Sequence, residues 1–437
     1  MDSSPQALID SRPMSVFQWR TVAIMVGLNA LDGFDVLSIS FASPGISKAW
    51  AIDRAALGVV LSMELIGMAL GSLLLGTLAD RVGRRTTIIG CLCLMALGMA
   101  LASSADGVVI LCVWRVLTGL GIGGMLAATN AAVSEASNAT RRDLAVVLMA
   151  AGYPIGAVIG GSIAASLLKT YSWPSVFVFG AVTTLFFIPI VLAWAPESVA
   201  FLMQKRPPGA LDRINRTLVK MGHPRVDALP DITPAPVGIP LAKLFGRPLI
   251  AATVLLTLAY LAHIMTFYFI LKWVPKIVVD MGFAPSSAAG VLVWANIGGA
   301  AGALLLGLLT ARVKLLPLTI GAMALSAILV TLFGQGQSDL FYLSLIAGIA
   351  GFCTNAGVVG LYALIAKSFD TSVRATATGF VIGVGRGGSA AAPALAGLLF
   401  AAGFGLSGVA TTMALGSVIA LLALCAFSQT ATARRFL

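Results

Sequence analysis

Residues 72–85 read SLLLGTLADRVGRR, in which a run of leucines ends abruptly in glycine, aspartate and arginine. A similar pattern returns 231 residues later, where residues 303–312 read ALLLGLLTAR. An apolar run that ends in arginines is typical of a helix leaving the bilayer on the cytoplasmic side. The recurrence predicts a membrane protein built from two duplicated halves with the same orientation.

The composition supports a membrane protein. Of 437 residues, 59% are hydrophobic and only 10% are charged, and the mean hydropathy is +0.98. A soluble chain carries nearer a quarter of charged residues. The net charge of +11 could suggest nucleic acid. However, the basic residues are scattered over short loops with no fold to present them, so we predict the lipid bilayer, and no nucleic acid, as the partner.

Apolar windows of about 20 residues predict an all-α membrane protein with twelve transmembrane helices in two pseudo-symmetric six-helix halves. The halves are predicted at 20–194 and 248–428, with an N-terminus at 1–19, a central loop at 195–247 and a C-terminus at 429–437. The predicted spans are Arg20–Phe41, Ala56–Ala79, Thr86–Ser104, Val108–Val133, Leu144–Leu168, Val176–Trp194, Leu249–Pro275, Ala288–Ala311, Leu315–Phe333, Leu340–Ala366, Thr376–Ala401 and Leu406–Phe427.

The distribution of basic residues predicts the orientation. An even number of spans places both termini on one side of the membrane. With the termini in the cytoplasm, only Lys48, Arg54, Lys169 and Lys276 of the 28 Lys and Arg residues lie outside. Because cytoplasmic loops carry the excess of Lys and Arg, we predict a multi-pass protein of the bacterial inner membrane with both termini cytoplasmic.

The first span carries two carboxylates in the stretch LDGFD, residues 31–35. An ionisable group at membrane depth costs from about 2.5 to more than 10 kcal/mol, so it is rarely present without a use. Asp32 and Asp35 share one helix face, and Gly33 between them leaves room for a partner to approach. Since like charges this close resist ionising together, the pair is suited to carry a proton. A structural pair held by a basic neighbour is the alternative.

Other polar residues fall at a similar depth by the helical rise of about 1.5 Å per residue. In the register of the repeat, His263 in span seven corresponds to Asp32 in span one, so the two residues lie at equivalent depths. Arg386 lies about as far from the cytoplasmic start of its span as Asp32 does. Tyr153 and Asn296 complete this midplane group. The combination suits an organic anion, because a guanidinium binds a carboxylate through two parallel hydrogen bonds and a nearby acid supplies a proton.

Each of these residues also has a structural interpretation. Arg386 either binds a substrate carboxylate or neutralises an aspartate, and His263 either contacts substrate or hydrogen-bonds within its bundle. Lys272 lies near the outer end of its span, where it could snorkel to water. The predicted substrate-binding residues are Arg386, His263, Tyr153, Asn296, Phe34, Tyr260, Phe267 and Lys272. Trp273 is predicted to anchor the membrane interface, and Glu64 has no assigned role.

The loop after span two contains the most specific pattern of the chain. Asp80 lies at a helix end, where it can accept hydrogen bonds from Arg81 or from a neighbouring helix, and the glycines permit a tight turn. We predict a gating motif that forms and breaks during a transport cycle. Its residues are Gly76, Asp80, Arg81, Gly83, Arg84 and Arg85, with Arg374 in the second half.

These motifs resemble those of the major facilitator superfamily over nearly the whole chain, Phe17 to Phe427. Residues 76–85 resemble its signature between spans two and three, residues 115–121 its fourth-span motif, and residues 196–198 a marker of sugar-porter-like members. The resemblance implies two six-helix bundles that rock around a midplane site.

Within that superfamily, residues 32–35 with Pro44 downstream, and residues 374–376 and 385–387, are similar to the aromatic acid:proton symporter family. The resemblance implies import of benzoate or hydroxybenzoate-type carboxylates together with protons. It assigns roles to Asp32, Asp35, Arg115, Glu135, Arg374 and Arg386, with Glu135 and Arg115 in proton relay or gating. The chain departs from the pattern at Lys272, where a small residue is usual, and at Ala311, where the second-half motif has lost its acid.

We therefore predict a proton-coupled importer of aromatic carboxylates that functions as a monomer. It uses the proton gradient and no cofactor. A proton-coupled exporter of amphipathic compounds, an importer of aliphatic acids and a membrane sensor are the alternatives. The sequence contains no nucleotide-binding loop or metal-ligand cluster and only two histidines, so an enzyme is not expected.

Overall fold

The computed structural model describes residues 4–230, 241–247 and 249–430, and this part of the chain forms helices without strands. Twelve helices are long. In the first half they are α2 (Val16–Trp50), α3 (Arg54–Val82), α4 (Arg84–Ser103), α5 (Val108–Ala136), α6 (Arg142–Thr170) and α7 (Pro174–Trp194). In the second half they are α10 (Ile250–Asp280), α11 (Pro285–Leu309), α12 (Leu315–Phe333), α13 (Leu340–Ser368), α14 (Thr371–Ala401) and α15 (Leu406–Ser428).

The predicted twelve-helix architecture is confirmed. By length and composition, 11 of these helices are apolar enough to cross a membrane. The twelfth, α14, has 31 residues and packs against α3 and α10. The molecule is a multi-pass membrane protein.

The first long helix extends beyond its predicted span at both ends. At its start, Ser15 and Gln18 form a capping box, in which each side chain accepts a hydrogen bond from the other residue's backbone N–H. At its other end the helix continues through Pro44 to Trp50, and the chain turns at Ala51, which has a φ of 49°. The capping box adds a turn that lies outside the apolar window.

The two bundles repeat one packing plan. In the first, α2 packs on α6 and α3 on α5; in the second, α10 packs on α14 and α11 on α13. Between the bundles, α3 packs against α14 and α6 packs against α11. The pseudo-symmetry relates these two contacts, because α3 corresponds to α11 and α6 corresponds to α14. The predicted pseudo-symmetry of the two halves is therefore present in the packing.

Glycine allows the closest helix contact in the first bundle. A Cβ atom on Gly33 would lie 2.0 Å from the carbonyl oxygen of Tyr153, and one on Gly156 would lie 1.7 Å from that of Ala30. Only glycine permits the backbones of α2 and α6 to approach this closely. The partner for which Gly33 leaves room is thus the backbone of α6.

Both ends of the twelve-helix array lie on one side of the bundle, here called the terminal side; the opposite side is the far side. Among the described residues, the hydrogen bonds and ion pairs between the bundles lie in the half toward the far side. Arg54 pairs with Asp280 at 3.0 Å, and the Ala394 amide donates to Ser62 Oγ at 3.1 Å. The bundles are fastened together at the far side.

Three short helices form a small unit on the terminal side, where the sequence predicts only a terminus and a loop. They are α1 (Pro5–Ser11), α8 (Val199–Lys205) and α9 (Ala210–Lys220). Their apolar faces share a core that includes Ile9, Leu202 and Ile214. A 3-10 helix, Leu241–Phe245, leads into the second bundle. Part of the predicted central loop, residues 231–240, and most of the predicted C-terminus, residues 431–437, lie outside the described residues.

Candidate substrate and proton site

Two carboxylates without hydrogen-bond partners lie in the middle of α2. Asp32 is 2% exposed and Asp35 is fully buried, and none of their four carboxylate oxygens has a hydrogen-bond partner. The Thr184 hydroxyl lies beside Asp35 but donates to the Gly180 carbonyl oxygen of its own helix at 2.8 Å. Buried polar groups are usually hydrogen-bonded, so a buried acid pair without donors is an unusual arrangement that indicates function.

Glu64 of α3 lies next to this pair and connects two cations. Arg115 of α5 forms an ion pair with Glu64 Oε1, and Lys272 of α10 lies 3.2 Å from Glu64 Oε2. Arg115 also donates to the Asp35 carbonyl oxygen at 3.2 Å, and Lys272 donates to the Val36 carbonyl oxygen. All three charged side chains are fully buried. The sequence shows Glu64 as a charge inside a span, but its partners are visible only in the fold.

Two predictions about the outer part of span seven are corrected. Lys272 does not snorkel to water: it is 0% exposed and reaches from the second bundle into the first. Trp273 is 1% exposed and donates from Nε1 to the Pro393 carbonyl oxygen at 3.1 Å, so it is not an interface anchor. Distance along the helix suggested water contact for both residues, but α2, α3 and α14 cover this part of α10.

Arg386 lies at the midpoint of α14 beside a group of tyrosines. Its guanidinium is half-buried and makes no ion pair or hydrogen bond with any described residue. Tyr260 and Tyr268 of α10 are its electrostatic neighbours, and the hydroxyl groups of Tyr260 and Tyr362 are 2.9 Å apart. Phe267 packs edge-on against Tyr268 at 5.4 Å between ring centroids. In the part of the chain that the structure describes, Arg386 is therefore a cation without an anionic partner beside aromatic rings.

Three predicted substrate-binding residues make only protein contacts. Both ring nitrogens of His263 are hydrogen-bonded inside the second bundle, Nδ1 with Ser417 Oγ at 3.0 Å and Nε2 with the Thr354 carbonyl oxygen at 2.8 Å. Asn296 donates to its own helix at 2.9 Å. Phe34 is 3% exposed and packs against Phe179. Tyr153, by contrast, lies near Asp32 and Glu64.

The gating motif forms a network within the first bundle on the terminal side. Arg84 pairs with Asp80 at 2.9 Å and with Glu135 of α5 at 2.9 Å. Glu197 accepts hydrogen bonds from the backbone amides of Arg84 at 2.8 Å and Arg85 at 3.2 Å. Gly83 has a φ of +108°, and a Cβ there would lie 2.3 Å from Glu197 Oε2. This turn therefore requires glycine.

The structure separates some residues that the sequence grouped together. Asp80 pairs with Arg84, not with the exposed Arg81. Glu135, expected in proton relay or gating, lies 20 residues after Arg115 in α5, which is about 30 Å along the helix. It pairs with Arg84 and accepts from the Ser198 hydroxyl. Arg374, at the start of α14, donates to the Phe369 carbonyl oxygen at 3.3 Å.

Two pseudo-symmetric bundles with buried charges at their interface define the molecule as a secondary transporter by fold and site. The comparison with known families agrees. A model described as Major Facilitator Superfamily matches residues 25–352, and the chain belongs to that family. The resemblance found in the sequence motifs is thus confirmed.

Known proteins refine this assignment. The chain is 33% identical to the 3-(3-hydroxy-phenyl)propionate transporter of Escherichia coli K12, with 92% of each chain covered. It is 32% identical to the 4-hydroxybenzoate transporter PcaK of Pseudomonas putida, covering 88% of this chain and 86% of the relative. These relatives are transporters, not enzymes. A crystal structure of a D-xylose-proton symporter matches with a TM-score of 0.72 at 16% identity over 95% of this chain and 98% of the other, which supports the fold.

Proposed function

We propose that the protein imports aromatic carboxylates together with protons across the bacterial inner membrane, with the terminal side in the cytoplasm. The observation that carries this proposal is the Arg386 guanidinium, which pairs with no anion of the described residues and lies beside Tyr260 and Tyr268, with Phe267 packed on Tyr268. A guanidinium binds a carboxylate in a bidentate manner, and aromatic side chains suit a ring. The names of the relatives, which include hydroxybenzoate, gallate and benzoate transporters, support an aromatic acid as the substrate.

Asp32 is the proton carrier in this proposal. The charged groups that face it are the carboxylates of Asp35 and Glu64, whereas Asp35 also faces Arg115. Of the two acids in α2, Asp32 is therefore the one without a basic neighbour. A proton on Asp32 removes a buried charge that has no cation beside it.

The charges of the interior explain the coupling between proton and anion. Three carboxylates, Asp32, Asp35 and Glu64, stand against three cations, Arg115, Lys272 and Arg386. The empty site is neutral when all six are ionised. A carboxylate that binds alone adds a negative charge, and a proton on Asp32 restores neutrality. Because net charge at membrane depth is costly, anion and proton cross together.

The contacts between the bundles describe one state of the cycle. The bundles are joined toward the far side by Lys272–Glu64 and Arg54–Asp280. With the terminal side in the cytoplasm, this is the inward-facing state. Return to the outward-facing state requires that these contacts open and that the bundles close on the terminal side.

Uptake into proteoliposomes tests the function. We expect labelled hydroxybenzoate, benzoate or hydroxyphenylpropionate to accumulate when the outside is made acidic, and accumulation to collapse with a protonophore. Accumulation of aliphatic acids only would contradict the aromatic assignment. Extrusion of amphipathic dyes, with no uptake of acids, would show that the protein is an exporter and not an importer.

Substitution of Arg386 tests its role directly. Truncating one partner of a buried charge pair costs at least about 2 kcal/mol, so Arg386→Ala should raise the KM for the carboxylate about 30-fold or more. Arg386→Lys keeps the charge but loses the bidentate geometry, so its KM should lie between those of the unaltered protein and Arg386→Ala. Arg225→Ala, an exposed arginine on the terminal side, is the matched control. Ordinary affinity in Arg386→Ala would contradict the assignment.

A further inference from the structure

A second positively charged cavity lies on the terminal side, away from the interior site. Its volume is about 240 Å³, and it opens between the start of α2, the start of α4, the end of α7 and the helix α9. Five basic residues line it: Arg20, Arg85, Arg213, Arg216 and Lys220. The transport mechanism proposed above uses none of them.

The only acidic residue in the cavity wall is already engaged. Glu197 accepts hydrogen bonds from the backbone amides of Arg84, Arg85 and Ser198 and is 8% exposed. Among the described residues, the five basic residues of the wall form no ion pair with a carboxylate. Like charges that face one concave space repel each other, and an anion in that space relieves the repulsion.

The fold holds these cations in place. The basic residues of α9 recur at Arg213, Arg216 and Lys220, on one face of the helix, while Ile214 and Leu218 on the other face are buried in the core of the terminal-side unit. The ring of Phe17, at the start of α2, contacts basic residues of both α2 and α9. Arg20 stands 4.9 Å from its centroid and Lys220 stands 6.0 Å from it. These cation–π contacts orient both side chains toward the cavity.

Arg85 is held in the cavity wall by a hydrogen bond to the end of α7. Its Nη2 donates to the Leu192 carbonyl oxygen at 2.5 Å, whereas its buried Nε has no hydrogen-bond partner. A buried donor without an acceptor is costly, so this atom favours an oxygen-bearing ligand in the cavity.

The position of the cavity identifies the kind of anion. Its wall includes Leu192 and Trp194 at the end of α7, a helix apolar enough to cross the membrane, and these two side chains are 49% and 50% exposed. Tryptophan is enriched where a membrane protein meets the lipid head groups. A cavity at this level is open to a molecule that has a phosphate in the interface and acyl chains in the bilayer. Basic pockets of this kind on the cytoplasmic side bind anionic lipid head groups.

We propose that this cavity binds the phosphate head group of an anionic phospholipid of the inner leaflet. The bound phosphate would contact basic residues of α2, α4 and α9 at once. It would therefore connect the terminal-side unit of α1, α8 and α9 to the Arg84 network through the adjacent Arg85.

Native mass spectrometry of the full-length protein in detergent tests the proposal with three probes. They are phosphatidylglycerol, phosphatidylcholine of the same acyl length, and glycerol 3-phosphate, which carries the phosphate without acyl chains. We expect phosphatidylglycerol to bind at least tenfold more tightly than either of the others.

The test variant is Arg213→Gln/Arg216→Gln/Lys220→Gln, which changes only exposed residues of α9. The matched control is Lys205→Gln/Arg225→Gln/Lys243→Gln, which removes the same charge from exposed positions outside the cavity wall. Each basic residue near the membrane surface contributes about fivefold, so the test variant should lose about 100-fold in affinity for phosphatidylglycerol. The control should lose much less.

Three results would overturn the proposal. Equal losses in the two triple variants would show that the attraction is a general property of the basic surface. Equal binding of phosphatidylcholine would show that the head-group charge is not recognised. Binding of glycerol 3-phosphate as tight as that of phosphatidylglycerol would assign the cavity to a soluble phosphate ester instead. Thermal unfolding of each variant checks that it is folded, and no substrate is needed in any of these measurements.

Discussion

Glu64 is the carboxylate on which cations from both bundles converge. Arg115 belongs to the same bundle as Glu64, but Lys272 comes from the other, so the Lys272–Glu64 pair exists only while the far side is closed. Breaking a buried pair is costly because a charge loses its compensation. Lys272 therefore contributes to the balance between the two states.

Removal of Lys272 should favour opening of the far side. In a background without the five native cysteines, Ser62→Cys reports on this interface, since Ser62 accepts from the Ala394 amide across the bundles. With a maleimide that does not cross membranes, Lys272→Met should increase labelling of the cysteine at position 62 about tenfold or more. Lys169→Met, at an exposed position near the far end of α6, is the control. Unchanged labelling in Lys272→Met would contradict this role.

Neutralising Asp32 should separate binding from coupling. Asparagine resembles a permanently protonated aspartate, so Asp32→Asn should bind the carboxylate and exchange it across the membrane without a proton gradient. Accumulation driven by the gradient should be abolished. Comparison of counterflow exchange with net uptake measures both properties. If Asp32→Asn retained gradient-driven accumulation and Asp35→Asn lost it, the proton carrier would be Asp35 and not Asp32.

At the scale of elements, the contact of α2 with α6 determines where the acids lie. Tyr153 approaches Asp32 because Gly33 and Gly156 let the two helix backbones touch. The sequence predicted this close approach from a glycine between two acids. It could not predict that Tyr153 would be the residue opposite, since the register of two packed helices depends on all their side chains.

Replacement of Gly156 should force these helices apart. A Cβ there would meet the Ala30 carbonyl oxygen at 1.7 Å, and overpacking of this kind costs about 1–3 kcal/mol. We expect Gly156→Ala to lower the free energy of unfolding by that amount and to reduce transport. Gly290→Ala in α11 is the control, because a Cβ there meets nothing within 4 Å. Thermal unfolding in detergent measures the difference, and equal stability of the two variants would contradict the packing argument.

The long helices were predictable from the sequence, whereas the contacts between them were not. Apolar windows located the spans, and the repeat of residues 72–81 in 303–312 gave the pseudo-symmetry. Lys272 and Trp273 were misplaced because depth along one helix does not show which neighbours cover it. The helices α8 and α9 were missed because their apolar faces are too short to stand out from a polar loop.

At the scale of the whole molecule, the balance of three buried acids against the buried Arg115 and Lys272 and the half-buried Arg386 predicts electroneutral transport. One proton per carboxylate moves no net charge, so accumulation should follow the pH gradient, about tenfold for each pH unit, and should not respond to membrane potential. Proteoliposomes with a potassium gradient and valinomycin allow the potential to be set at constant pH. Accumulation driven by the potential alone would require a second proton and would contradict this count.

The network around Arg84 has one further consequence. Its members Asp80, Glu135 and Glu197 all belong to the first bundle or to the segment directly after it, so movement between the bundles leaves them intact. In the second bundle the positions of Asp80 and Arg84 are taken by Ala311 and Leu315, which carry no charge. These contacts make the terminal side of the first bundle rigid. We therefore expect the helices of the second bundle to bend more during each transport cycle.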